Sequence, residues 1–181
     1  GGFESCRIHV HQIAFEDNQY NIVTAKHDTK LIAVIDDITL NKTVSIRSFM
    51  TGIAHSWDAQ PGQMLKQVAD VELPQMFSRY MFNTSSPKTA DGAGILLELT
   101  IPDYQFADFH AKISVRAIAH DSANSLLFDK TYTEEGDSQG AKMFWGGAFG
   151  MKSAMRQSSL DAYKKIFTSL REDLTKALTH Q

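Results

Sequence analysis

The chain has 181 residues, 43% of them hydrophobic and 22% charged, with a formal net charge of -3. That is enough chain to bury one core without metals or disulfides. The composition excludes disorder and gives no general electrostatic case for nucleic acid. The single cysteine, Cys6, excludes an intramolecular disulfide, and no apolar run approaches the roughly 20 residues that span a bilayer.

The first residues are Gly1-Gly2 with no initiator Met. This suggests a replaced amino terminus and leaves an upstream export signal or lipid anchor open. From Arg7 to Phe15, Ile8, Val10 and Ile13 alternate with polar residues, which predicts a strand. Glu16-Asp17-Asn18 reads as a turn, and Tyr20 to Thr24 as a second short strand. Leu31 to Leu40 is a stronger strand pattern and Thr43 to Met50 another, with Asn41-Lys42 suited to a hairpin between them.

From Ser56 the spacing turns helical. Asp58 is placed to cap, Pro61 suits a first turn, and Met64, Leu65, Val68, Val71 and Leu73 recur on one face. Pro74 predicts a kink or two short helices, the second carrying Met76, Phe77, Tyr80 and Met81. Asn83 to Gly94 reads as a surface loop.

The clearest pattern runs from Gly94 to Glu135. Ile95, Leu97, Leu99 and Ile101 alternate with polar residues, then Ala111, Ile113, Val115, Ala117 and Ala119, then Leu126, Phe128 and Lys130. With turns at Asp103 to Asp108 and at Asp121-Ser122-Ala123-Asn124, this predicts a three-stranded antiparallel meander. A glycine-rich loop follows, Glu134 to Gly150, and then a terminal helix starting at Ser153 or, by the Ser158-x-x-Asp161 capping pattern, near Ser158. In that helix Tyr163, Ile166, Phe167, Leu170, Leu174, Ala177 and Leu178 form an apolar stripe. Lys164, Lys165, Arg171, Glu172, Asp173 and Lys176 lie opposite.

Together these elements predict a single α+β domain over residues 1–181. It has a mainly antiparallel sheet containing the C-terminal meander, two amphipathic helices packed on one face, and a poorly defined amino-terminal segment over residues 1–28.

Candidate chemistry is sparse. His9 and His11 project from one face of a strand, as two metal ligands do, but no further residues complete a shell. The plainer reading is an exposed strand face, and no metal is expected. Asp36 and Asp37 are adjacent on an expected strand, so they point to opposite faces and read as a solvated strand end. Gly146 to Ser153 superficially resembles a phosphate loop, yet Met151 stands where the motif needs glycine before Lys152. Cys6 has no partner suggested by sequence, and no nucleophile elbow is present. Met143, Phe144, Trp145, Phe149 and Met151 are large apolar residues in the glycine-rich loop. If exposed they form a contact patch for a partner or membrane surface; if buried they cap the core.

The helix entered through Trp57-Asp58 and Pro61, the meander segments Ile95-Leu96-Leu97-Glu98-Leu99, Ala111 to Ala117 and Leu127 to Tyr132, and Ser159-Leu160-Asp161-Ala162-Tyr163 together resemble one family. It is the small bacterial outer-membrane lipoproteins of the ABC-transport auxiliary and YajG types. The resemblance covers roughly the last two thirds of the chain. It implies a periplasmic domain anchored to the outer membrane through a lipidated amino-terminal cysteine and serving a lipid-transport or envelope assembly, with no catalytic residues and no cofactor. This chain departs from the pattern at its start, where Glu4-Ser5-Cys6-Arg7 lacks the small-residue signature before a lipidated cysteine. Cys6 is therefore not read as the anchor.

The expected function is a non-enzymatic envelope lipoprotein, an accessory or binding component of a transport or envelope assembly. It would engage a partner protein or lipid, but not nucleic acid, through an exposed sheet edge or the Met143 to Met151 loop. The alternative is a small-ligand-binding protein or metal-dependent hydrolase with a cavity between sheet and helices, its polar groups His9, His11 and Asp36. Partner identity and oligomeric state are left open.

Overall fold

The computed structural model describes residues 26–50, 53–87, 94–138 and 140–179; the side chains at 48–50, 53–55, 140–149 and 151 lie outside that description. In chain order the elements are β1 (His27–Val34), α1 (Asp37–Leu40), β2 (Val44–Met50), β3 (Ile53–Ala59), α2 (Pro61–Met76), β4 (Phe77–Asn83), β5 (Ile95–Ala107), β6 (His110–Asp121), β7 (Leu126–Glu135) and α3 (Gly140–Thr179). Five strands form one mixed sheet in the order β4-β1-β5-β6-β7, while β2 and β3 pair with each other alone. β1 is parallel to both β4 and β5, and β5, β6 and β7 form the antiparallel meander expected from the period-two pattern.

The alternation decides which side is covered. Leu31 and Ala33 of β1, Ile95, Leu97 and Leu99 of β5, and Ala111 through Ala119 at every second position of β6 join one buried cluster with both long helices. From α3, Tyr163, Ile166, Phe167, Leu170 and Leu174 are all fully buried there. The two helices thus pack on one face, as an amphipathic cover for an apolar sheet requires. Ile32, Val34 and Leu96 point to the other face and form a small separate cluster. There Ser86, just past β4, donates to Glu98 across the sheet at 2.9 Å.

Several local expectations are corrected. The chain leaves the sheet after β1: Ile35 is buried, and Asp36 caps the one-turn α1 by accepting from the Thr39 amide at 2.7 Å. The strand expected over Leu31 to Leu40 therefore ends early. β2 pairs not with it but with β3, so the Asn41-Lys42 hairpin does not form. β3 also occupies the stretch read as the start of a helix. Asp58 pairs across to Ser45, accepting its hydroxyl at 3.0 Å, and the helix begins at Pro61.

Pro74 does not split α2. It sits in the last turn, where its missing N–H forfeits a single hydrogen bond, and the helix ends at Met76 with the Phe77 amide bonded to Leu73. The expected second helix is instead β4, whose Phe77, Tyr80 and Phe82 pack on the core. Val71, expected on the apolar face, is 60% exposed.

β5 runs six residues beyond Ile101, through a register shift between Thr100 and Asp103 that accommodates Pro102. The turn is the two-residue Asp108-Phe109, with φ of 53° and 65°, the sign that a tight hairpin demands at both central positions. α3 starts at Gly140, well before Ser153. The expected strands at Arg7 to Phe15 and Tyr20 to Thr24 lie outside the described residues.

α1 lies directly over the first turn of α2. A Cβ on Gly62 would collide with the backbone of Thr39 and Leu40, so the helices approach this closely only because the side chain is a hydrogen. Helix propensity alone favours alanine over glycine by about 1 kcal/mol. Gly62→Ala is nevertheless expected to destabilise the protein by about 1–3 kcal/mol in urea unfolding, and unchanged or increased stability would contradict the α1–α2 packing.

Candidate functional site

The described residues among those singled out in the sequence take separate structural roles. His9, His11 and Cys6 lie outside the described residues. Asp36 serves as the α1 cap, and Asp37 lies in the first turn of the same helix, so neither is a free carboxylate pair member. Met143, Phe144, Trp145, Phe149 and Met151 fall within α3, not in a loop. Gly146, Gly147 and Gly150 are helical too, which removes the loop that a phosphate cradle needs. The side chains of those five residues lie outside the description, so their exposure is not part of the site. Among the described residues no group of three or more His, Cys, Asp or Glu is gathered to hold a metal.

Two other features stand out. The first is the outer edge of the sheet at β7, ten residues long and paired on one side only among the described residues. Edge strands resist foreign strands through unpaired charges, prolines and bulges. Here Asp129 and Lys130 are engaged within the protein, Glu135 lies 3.8 Å from His110, and a register shift opposite Ala119 and His120 falls near the start of the strand. Arg116 holds Asp129 through two hydrogen bonds, 2.9 Å and 2.6 Å, and that bidentate pair lowers the Asp129 carboxyl and raises the guanidinium.

Lys130 reaches over the edge to Asp173 of α3 at 2.9 Å, and Tyr132 donates its hydroxyl to the other carboxylate oxygen at 2.7 Å. The opposite edge, β4, carries a similar latch. Tyr80 donates to Asp70 of α2 at 2.8 Å, and Lys66 bonds the same carboxylate at 2.6 Å while lying over the Phe82 ring. Each long helix is thereby tied to the edge strand beneath it. Burial, then the carboxylate, pushes both tyrosine hydroxyls far above their usual range.

The second feature is an open cleft of about 730 Å³ where the end of β3, the start of α2 and α3 meet. Its floor includes Ala59, Met64 and Met155, each nearly inaccessible. Gln63 and Gln67 of α2 face Lys152 and Arg156 of α3 across it. The Arg156 guanidinium donates to the Gln67 side chain at 3.1 Å. Asp58 also lines the cleft but accepts from Ser45. Asp36 is not among its walls. The cleft residues come from three separated elements and match no motif, so sequence spacing offered no route to them.

No protein-family model matches the chain, and no curated protein matches it. Among solved structures it is similar to a hypothetical protein from Chlamydia trachomatis, with a TM-score of 0.43 and 9% identity, over 82% of this chain and 95% of that one. A likeness at that level carries no argument about function.

Asp173 gives a pH signature for the β7–α3 latch. Its burial alone would raise the carboxyl, but the Tyr132 hydrogen bond and the Lys130 and Lys176 ammonium groups outweigh this and hold it below its ordinary value of 3.8. The unfolded chain therefore takes up protons first as pH falls. The contribution is complete above the ordinary carboxylate value and is lost as pH drops below it through the lowered native value. Asp173→Asn is expected to cost about 1–3 kcal/mol near neutrality, with the deficit against the unaltered protein closing below about pH 4 in denaturant titrations. A deficit that stays constant down to pH 2 would show that the charge of Asp173 is not what ties α3 to β7.

Proposed function

We propose that the chain is a non-enzymatic accessory protein of a bacterial cell envelope assembly. In this reading it faces the periplasm, is held at the outer membrane by a lipid anchor upstream of the described residues, and receives an extended segment of a partner protein along β7. The observation that carries the edge reading is the β7 strand itself. The ten-residue strand has no strand neighbour on its outer side among the described residues; Lys165 takes the Glu135 carbonyl at its end, and Asp129 and Lys130 are engaged by Arg116 and Asp173. Main-chain hydrogen bonds supply affinity in such strand addition, and alternate side chains supply selection. Leu126, 58% exposed at the start of the edge, gives an incoming strand an apolar foothold. The meander and carboxy-terminal helix that resemble the outer-membrane lipoproteins support the envelope placement.

Two measurements test the two halves of this reading. The full natural gene, expressed in its own host, is expected to give a lipidated amino terminus by mass spectrometry and recovery with the outer membrane. An unlipidated protein recovered in the cytoplasm sinks the envelope placement. For the edge, Thr133→Pro and Glu134→Pro remove successive amides, one directed at β6 and one away from it. The variant lacking the outward amide is expected to keep its thermal stability while losing partners that co-purify with the unaltered protein. Retention of every partner by that folded variant rules out β7 as the contact.

A further inference from the structure

The cleft between β3, α2 and α3 lies apart from the β7 edge and offers a different chemistry. Lys152 and Arg156 are one helical turn apart, so their side chains leave the same face of α3. Two like charges at this spacing repel by a few tenths of a kcal/mol in a helix. Several cations that tie elements together have carboxylates, Lys130 with Asp173, Lys165 with Asp137 and Asp161, and Arg171 with Glu72, while Arg79 and Lys42 bond backbone carbonyls.

Lys152 has no hydrogen bond or ion pair among the described residues, and Arg156 has the neutral Gln67 amide alone. Asp58 is the one carboxylate among the described lining residues, and it accepts from the neutral Ser45 hydroxyl without pairing with either cation. The cations therefore stand over an apolar floor of Met64 and Met155, with space comparable to the roughly 300–1,000 Å³ of small-molecule sites.

We infer that this cleft binds a small organic anion, a carboxylate or phosphate monoester. Its oxygens sit between Lys152 and Arg156, and its apolar body lies on Met64 and Met155. The guanidinium offers a fork of donors matched to either anion, and thioether side chains accept an aromatic or aliphatic body of varied shape. The amide of Gln67, already bonded to Arg156, holds the guanidinium over the cleft. The inference does not depend on envelope location or on the β7 edge.

The test uses methyl-labelled methionine and NMR titration with benzoate, phenyl phosphate, benzyl alcohol and inorganic phosphate. Benzoate or phenyl phosphate is expected to shift the Met64 and Met155 methyl signals saturably, and the two responses distinguish a carboxylate site from a phosphate site. Benzyl alcohol is expected to do so at least tenfold more weakly. Lys152→Gln combined with Arg156→Gln is expected to weaken anion binding at least tenfold at unchanged thermal stability. Lys152→Gln alone, at an exposed position without a partner, gives a folded variant if the pair does not. The absence of a saturable shift with either anion overturns the proposal. So does an equal response to benzyl alcohol, or unchanged affinity in the Lys152 variant and in any folded double variant. Inorganic phosphate binding as tightly as phenyl phosphate overturns the apolar half of the site.

Discussion

Everything in this fold depends on removing one face of a five-stranded sheet from water. Only the inner positions of β1, β5 and β6 are continuously apolar, and the stripe along α3 is what covers most of them. Each large side chain buried this way contributes about 1.5–3 kcal/mol, so the helix cannot leave without the sheet losing its core. The seam is nonetheless not purely apolar. Ser158 and Ser159 are fully buried in mid-helix, and both are satisfied. Ser158 accepts the Ala111 amide at 2.9 Å, Ser159 pairs with the Tyr104 hydroxyl at 2.8 Å, and Tyr163 donates to the Pro61 carbonyl at 2.7 Å. These bonds fix where along the sheet α3 sits, since sliding it would strand buried polar groups at a cost of about 1–3 kcal/mol each. Burial raises the Tyr104 and Tyr163 hydroxyls, keeping them as donors across the physiological range.

The sequence made the meander and the second half of α3 legible because their periods, two and 3.6, are unbroken over many residues. It failed where the signal was local and the cause was not. Pro74 looked like a helix breaker because its position in the last turn depends on where α2 stops. Phe77, Tyr80 and Met81 fit a helical spacing as well as a strand, and only the parallel pairing of β4 with β1, residues 49 or 50 positions apart such as Leu31 with Tyr80 and His27 with Phe77, decides between them.

Gly146, Gly147 and Gly150 suggested a loop, but tertiary context overrode their weak helix propensity. The Ser158-x-x-Asp161 pattern has the spacing of a helix start. The two side chains do cap backbone, but elsewhere: Ser158 serves the start of β6, and Asp161 accepts the Asp137 amide just before α3 at 2.7 Å. The candidate cleft was invisible for a related reason, since Gln67, Lys152 and Arg156 acquire meaning only when α2 and α3 cross.

The two edges of the sheet are built alike. At each, a tyrosine from the edge strand donates to an aspartate on the covering helix, with a lysine beside it. This arrangement holds the helices over the strands without using the outer backbone of either edge. A scaffold of this kind leaves its edges available for pairing, which is how a domain with little visible chemistry can still act by binding. The cleft of Gln67, Lys152 and Arg156 involves none of the latch residues, so the two surfaces can be altered separately.

Strand addition at β7 requires this edge to be open in the free protein. Residue-resolved amide hydrogen exchange on the purified chain measures this directly. Along β7 the amides facing β6 are expected to be protected and those between them to exchange at rates close to an unstructured peptide, an alternating profile. Uniform protection along the strand would show that the edge is already covered, by another part of the chain or by a second copy, and would contradict the proposed mode of binding.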